Sequence, residues 1–511
     1  MFSLYYNAKT QSVQCVNGSG RCPGGLSLDI LRDKYPNGEG GVDVNLHRKS
    51  VDAVTVPMAA RGWEEFYKRH GSGKFSFGEL LEPAAKLAEG GFPVAPITAV
   101  SWSAGLEQDI KKWIDDKDDG GEIPLSVDGK GPKPGDIMKN LDMARVLRSL
   151  GANGATKGFY ESFPGESIIN AVQKHGGFMK LEDLKEDLTQ CTFPESISVE
   201  YKGLKLHQIP PNGQGVAGLI ALSGLGALEK RGQIPAMDDD AAKKDSTGWK
   251  SSQTWHAMIE MTRLGFADAR KFACDEEFCM ELGRDIKNHE YLLDASRISE
   301  RATKVFDSEK AVVQGIPDPT SCTVSFQVVD KEGNAVSFVN SNFMGFGTGI
   351  VPDGCGFTLQ NRGGGFSFEE DHPNVIEPHK RPYHTIIPAM LTHSDTNELY
   401  ATISNMGGFM QPQGHMQLTV ALASGLDPQA AVDQPRFCIA DGTHNGTVMM
   451  EEGIDDTTVR ALEEQGHKMV KDVKGYNRSI FGKAQIIKRD RKTGVLWAGS
   501  DGRADGCAMG F

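Results

Sequence analysis

PTSCTVSFQVVDKEGNAVSFVNSNFMGFGTG, residues 319–349, is the stretch on which the reading of this chain turns. Thr323–Asp330 has the β-branched and aromatic content of a strand. Lys331, Glu332, Gly333 and Asn334 supply turn chemistry, and Ala335–Phe343 reads as a second strand returning antiparallel to the first. The hairpin carries Thr323 at its edge. A threonine that opens a strand is ordinarily a β-former and nothing more. If the Cys322–Thr323 peptide bond is cut, however, the freed threonine bears both a hydroxyl and an α-amine. Such a nucleophile carries its own base, because the reference pKa of an α-amine, about 7.7–8.0, leaves an appreciable neutral fraction near neutral pH.

Working outward, 39% hydrophobic and 24% charged residues in 511 describe an ordinary globular chain, neither disordered nor fibrous. The 60 glycines cluster without a repeat period, as at Gly363–Gly365, which favours tight turns and close backbone approach. A net charge of -13 with no basic stripe argues against a nucleic-acid partner. Charged runs at 111–122 and 238–245 read as solvated faces or loops. No stretch approaches the roughly 20 apolar residues of a membrane span, and no signal-like apolar run follows Met1, so the cytoplasm is the expected compartment. Nine dispersed cysteines without a C-x-x-C pair predict neither a disulfide framework nor a zinc site, and no metal or organic cofactor is expected.

The remaining pattern is mixed. Residues 2–16 read as a hairpin, with FSLYY and SVQCV flanking Asn7–Gln11. Ser76 and Glu79 form a capping box for a helix that stops at Gly90 and Gly91, helical periodicity recurs at 142–150, 166–174 and 253–272, and 180–187 carries alternating charge suited to an exposed face. Ile197–Ile209 reads as a strand, followed by a Pro- and Gly-rich loop and a helix over Val216–Leu228. Residues 235–252 are polar and acidic, a surface excursion. Further strands are predicted at Phe357–Gln360 and Leu399–Ser404, a strand and helix within Gly446–Gly466, and a terminal hairpin within Ser479–Ser500. Runs of strands with their own helices predict a layered α+β fold rather than an alternating parallel sheet.

No G-x-S-x-G elbow, H-E-x-x-H motif or complete P-loop is present, and Gly345, Gly347 and Gly349 are only close to a dinucleotide pattern and open no evident helix. Gly407 and Gly408 stand between the strand Leu399–Ser404 and a helix beginning near Gln413 and ending at about Gly425. Glycines there are usually a turn. They also offer backbone N–H groups, at the positive end of a helix, to a developing oxyanion.

The segments TVSFQVVDKEGNAVSFVNSNFMGFGTGIVPDGCGFTLQNRGGGF, KRPYHTIIPAML and SNMGGFMQPQGHMQ, with FSLYYNAKTQSVQCVNGSGRCPG, GELLEPAAKLAEGGFPV, HGGFMKLEDL and IPPNGQGVAGLIAL upstream, resemble the γ-glutamyltransferase (glutathione hydrolase) family. The similarity runs through almost the whole chain. It implies a four-layer αββα N-terminal nucleophile hydrolase sandwich, made as a proenzyme and cut between Cys322 and Thr323. Residues 1–322 would form a large subunit and 323–511 a small one, the two fragments staying associated. The resemblance further implies that Thr323 forms an acyl-enzyme at a γ-glutamyl carbonyl, with water or an amine as acceptor of the acyl group. Gly407 and Gly408 match the family's oxyanion-hole glycines, and Ser341, expected on the returning strand, matches a hydroxyl residue that assists the nucleophile.

The substrate contacts depart from the family pattern. The arginine for the substrate α-carboxylate falls at Ser19, with Arg21 two positions on. The acidic partner of the α-ammonium falls at Gly365, a neighbouring glutamine position holds Arg362, and the serine pair after Lys-Arg-Pro is His384-Thr385. Arg21, Asn342, Arg362, His384 and Thr385 are the candidate substrate contacts. Losing the negative partner and keeping positive charge predicts an acyl group with a carboxylate and no amine. A glutaryl or other N-acyl amide is therefore the rival substrate, and a non-catalytic relative the rival function. Family members also carry a further stretch before the FSLYY strand, so this chain is expected to lack the family's N-terminal portion.

Overall fold

The computed structural model describes residues 1–114, 123–236, 251–315, 317, 323–440 and 446–511. Cys322, residues 115–122 of the charged run at 111–122, and residues 237–250 of the polar stretch at 235–252 lie outside the described residues. The chain divides into two compact units, each drawing on both sides of Thr323: one comprises Met1, 16–192 and 340–382, the other 2–15, 193–339 and 383–511.

The second unit holds two antiparallel sheets. Their strands are β1 (Phe2–Asn7), β2 (Ser12–Asn17), β3 (Ile197–Tyr201), β4 (Leu204–Gln208), β5 (Val324–Val329), β6 (Ala335–Asn340), β7 (Ala389–His393), β8 (Leu399–Met406), β9 (Lys483–Arg489) and β10 (Leu496–Ser500). One sheet runs β2-β1-β6-β5 and the other β10-β9-β8-β7-β4-β3. β5 packs across β8 and β9, and the sheets share a core of Phe2, Leu4, Tyr6, Ile209, Val339, Ile386, Met390 and Leu399. Small hydroxyls cross the same interface: Ser325 Oγ meets Ser404 Oγ at 3.0 Å, and Ser337 Oγ donates to Ile403 O at 3.3 Å. Side chains alternate along a strand. Ser325 and Gln327 of β5 are therefore half-buried while Val324, Phe326 and Val328 face outward and are exposed.

Helices cover the other face of the six-stranded sheet. They are α1 (Gly215–Lys230), α2 (Ser252–Phe272), α3 (Ala295–Val305) and α4 (Met410–Ala423). Leu219, Leu222, Trp255, Ile259 and Leu418 from these helices close on Leu206, Leu391, Ala401, Ile403 and Ile486 from the sheet. α1 and α4 are buried on most of their circumference, as expected of helices sandwiched in a large core.

The first unit is mainly helical, with Ala59–His70, Phe77–Gly90, Leu141–Ala155 and Phe163–Lys174 around a core that includes Val54, Leu150, Phe159, Ile168 and Leu359. The Ser76–Glu79 capping box forms as expected: Glu79 N–H donates to Ser76 Oγ at 3.2 Å, and Ser76 N–H to Glu79 Oε2 at 2.7 Å.

Several elements differ from the sequence reading. Ile197–Ile209 is a hairpin, not one strand, because Lys202 and Gly203 take left-handed φ of 48° and 77° and turn the chain back. Phe357–Gln360 is not a strand; Thr348 and Leu359 instead tie their loops together through Thr348 N–H to Leu359 O at 2.9 Å and Leu359 N–H to Ile350 O at 2.8 Å. α4 starts at Met410, ahead of Gln413, since Pro412 falls in the first turn, where the missing N–H has no helical partner to lose.

Candidate active site

The strand β8 ends at Met406 and the helix α4 begins at Met410, so Gly407, Gly408 and Phe409 make the whole connection. Their φ values are +140° and +57°, and a Cβ on Gly407 would lie 3.0 Å from Gly482 Cα. Gly407 therefore requires glycine, and Gly408 takes a left-handed conformation that glycine adopts without cost. The two carbonyls point into the helix, accepting from Met410 N–H at 3.0 Å and Gln411 N–H at 3.1 Å. Among the described residues nothing accepts from the N–H groups of Gly407 or Gly408. These are unpaired donors at the positive end of a helix, the arrangement that stabilises a developing oxyanion.

Thr323 immediately precedes β5 and is buried. Its Oγ accepts from Gln411 Nε2 at 3.2 Å, and Gln411 Oε1 accepts from Ile387 N–H at 2.7 Å. A second glutamine braces the glycine loop. Gln214 Nε2 donates to Gly408 O at 3.0 Å and to Thr385 O at 2.6 Å, while its Oε1 accepts from Tyr383 Oη at 3.1 Å. Thr323, Gly408 and Thr385 thus belong to one hydrogen-bonded network. His384 is buried against Phe2, ring centroids 4.4 Å apart, and its Nδ1 accepts from Ile386 N–H at 3.4 Å.

The remaining predicted residues lie in the other unit. Ser341 is one residue beyond β6, which ends at Asn340 rather than at Phe343, so it does not sit on the returning strand as expected. Its Oγ accepts from Phe343 N–H at 3.0 Å, a local turn that competes with continuing the ladder, and Phe343 takes φ of 79°. Asn342 Nδ2 donates to Thr358 Oγ1 at 3.1 Å, and Asn342 O accepts from Asn361 N–H at 3.2 Å. Arg362 is buried, with its guanidinium 4.7 Å from the Phe343 ring centroid; Arg48 stands 6.0 Å from the same ring. The following glycines are crowded: a Cβ on Gly363 would lie 2.8 Å from Ala53 O, and one on Gly364 would lie 2.7 Å from Arg48 Cγ. Arg21 donates from Nη1 to His379 O at 3.0 Å, beside the Cys22 N–H to Lys380 O bond of 2.8 Å.

Gln411, Gln214, Tyr383 and Phe343 escaped the sequence reading. The available signal was a glutamine in each of two glycine-bearing loop-to-helix junctions, PPNGQG and GGFMQPQ.

Two stacked antiparallel sheets, helices, and a threonine opening the edge strand describe an N-terminal nucleophile hydrolase fold. The chain belongs to the gamma-glutamyltranspeptidase family, whose pattern it matches over residues 1–511. It is 30% identical over 519 residues to the glutathione hydrolase-like YwrD proenzyme of Bacillus subtilis (strain 168), covering 100% of this chain and 89% of that protein. It is 28% identical over 471 residues to the oxamate amidohydrolase proenzyme of Klebsiella pneumoniae subsp. pneumoniae, covering 90% and 81%. The crystal structure of cephalosporin acylase from Bacillus halodurans superimposes with a TM-score of 0.83 at 33% identity, covering 99% of this chain and 86% of that one. No helix among the described residues is long and apolar enough to cross a membrane.

Proposed function

We propose that this protein is a self-cleaving amide hydrolase or acyltransferase in which Thr323, freed by a cut after Cys322, attacks the carbonyl of a γ-glutamyl or related amide. The observation that carries the reading is the placement of Thr323 Oγ on the first turn of α4, the helix that Gly407 and Gly408 open with unpaired N–H groups. The Thr323 hydroxyl forms the new C–O bond as its proton passes to the α-amine. The carbonyl oxygen becomes an oxyanion facing the glycine donors, and the C–N bond breaks as the ammonium protonates the departing amine. Water or an acceptor amine then releases the acyl group. The fragments 1–322 and 323–511 stay together, since each compact unit contains residues from both.

The second reading concerns the acyl group. Gly365 stands where the family places its acidic contact for the α-ammonium, and Arg362 nearby is a buried cation. An acyl group that ends in a carboxylate and lacks an amine suits that balance better than γ-glutamate. The likeness to a cephalosporin acylase and to an oxamate amidohydrolase supports an amide outside the γ-glutamyl class.

Denaturing electrophoresis with N-terminal sequencing tests the first reading: two fragments are expected, one starting at Thr323. A single chain, unaltered by T323A, overturns it. Turnover of γ-glutamyl and glutaryl anilides by the processed protein tests the second, and a clear preference for γ-glutamyl overturns that reading.

A further inference from the structure

The amide of Gln411 is oriented by its surroundings. The Ile387 backbone N–H can only donate, and it lies 2.7 Å from one amide atom, which must therefore be the carbonyl oxygen Oε1. The other atom is then the –NH2, and it faces Thr323 Oγ at 3.2 Å. Thr323 Oγ accepts that bond, so its own proton must point elsewhere. Gln411 is buried, sits in the first turn of α4, and its backbone N–H is spent on Gly408 O at 3.1 Å. One residue thus joins the threonine to the glycine loop, with a side chain too enclosed to choose another partner.

We propose that Gln411 is a further catalytic residue, a fixed neutral donor to the oxygen that becomes anionic as Thr323 loses its proton. The proposal rests on the reading of Thr323 as the nucleophile. When the Oγ–H bond breaks, the proton goes to the Thr323 α-amine and negative charge grows on Oγ until the C–O bond to the substrate forms. The Nε2–H bond strengthens along this path, transferring no proton. It also directs the Oγ proton away from α4, leaving it for the base. Because the bond tightens only as charge develops, it acts on kcat rather than on substrate affinity. The same donor serves self-cleavage, where Oγ attacks the carbonyl of residue 322.

Two substitutions separate this role from a structural one. Q411M removes both amide atoms. Q411E keeps an oxygen for the Ile387 N–H and replaces only the donor facing Thr323 with an ionisable oxygen. Self-cleavage is followed on denaturing gels, and kcat and KM are measured against pH with whichever anilide the wild type turns over. Thermal melting checks that each variant is folded. Q411M is expected to lose at least about tenfold in kcat with KM within about twofold. Q411E is expected to donate only while its carboxyl is protonated, so its kcat falls with rising pH along a limb the wild type lacks, or is at least about tenfold low throughout. A Q411E profile that superimposes on the wild type, or a KM that rises in proportion to the loss, overturns the proposal. If T323A itself still cleaves and turns over the anilide, the nucleophile reading fails instead. Thr323-dependent turnover with wild-type rates in both Gln411 variants refutes the role of Gln411 alone.

Discussion

The neighbourhood of Thr323 and the neighbourhood of Arg362 are built from different materials. Around Thr323 the working groups are a hydroxyl, backbone N–H groups and two buried amides, Gln411 and Gln214, each held at both ends. All are neutral in the uncut chain, so their burial requires hydrogen-bond partners and no counter-charge. Around Arg362 the groups are a buried guanidinium, an aromatic ring shared with Arg48, and glycines with no room for a side chain. The first arrangement suits one kind of chemistry with many acyl groups. The second is charged and sterically closed, and if it contacts substrate as proposed, an exchange there should change which acyl group is accepted rather than the bond-making chemistry.

Substitutions in the first neighbourhood should therefore abolish turnover, and those in the second should redirect it. The largest effect belongs to Thr323→Ala, expected to stop self-cleavage on gels and to lower turnover on the order of 10⁴-fold or more. Gly408→Val forces a β-branched residue to φ of +57° in the loop proposed to hold the oxyanion. It should cost about 10²- to 10³-fold in kcat, read from steady-state kinetics on processed enzyme. Arg362→Ala should raise KM for a glutaryl anilide about 10- to 100-fold, the worth of a charge-assisted contact, and leave kcat nearly constant. An equal loss in kcat would place Arg362 with the reacting groups. Gln214→Ala removes the one amide that donates to both Gly408 O and Thr385 O and is expected to lower stability by about 1–3 kcal/mol in urea unfolding.

The last prediction concerns pH. Burial holds His47 and His207 at a pKa of about 4, and His415 and His467 at about 3, against an ordinary 6.5. The unfolded chain binds these protons first, so stability should be greatest above pH 6.5 and decline as pH falls from there towards 4. Melting temperatures across that window check the sign, and a flat profile would mean that these rings are hydrated in the folded state.

Much of the site was legible because its signals are local. The hairpin beginning at Thr323 announces itself through alternation and turn residues, and Gly407-Gly408 through their place between a strand and a helix. Ser341 was located in number but misplaced in structure, because a hydroxyl bonding Phe343 N–H ends the ladder at Asn340, a choice that β-propensity does not register. Gln411 was invisible for a different reason. A glutamine in a helix's first turn is unremarkable until the fold seals it and sets Ile387 on one side and Thr323 on the other.

Residue order alone, with its periodicities, glycine positions and family resemblance, was enough to specify the α+β class, the hairpin that starts at Thr323 and the glycine pair that opens α4. These depend on backbone preferences within a few residues, and such preferences are written in sequence. The direction of the Gln411 and Gln214 amides, the burial of Arg362 against Phe343 and the end of β6 before Ser341 were decided only by the tertiary structure. Each depends on which polar group, from a residue distant in the chain or turned back upon it, arrives to satisfy a buried partner, and a buried donor or acceptor must take the partner that the packing supplies.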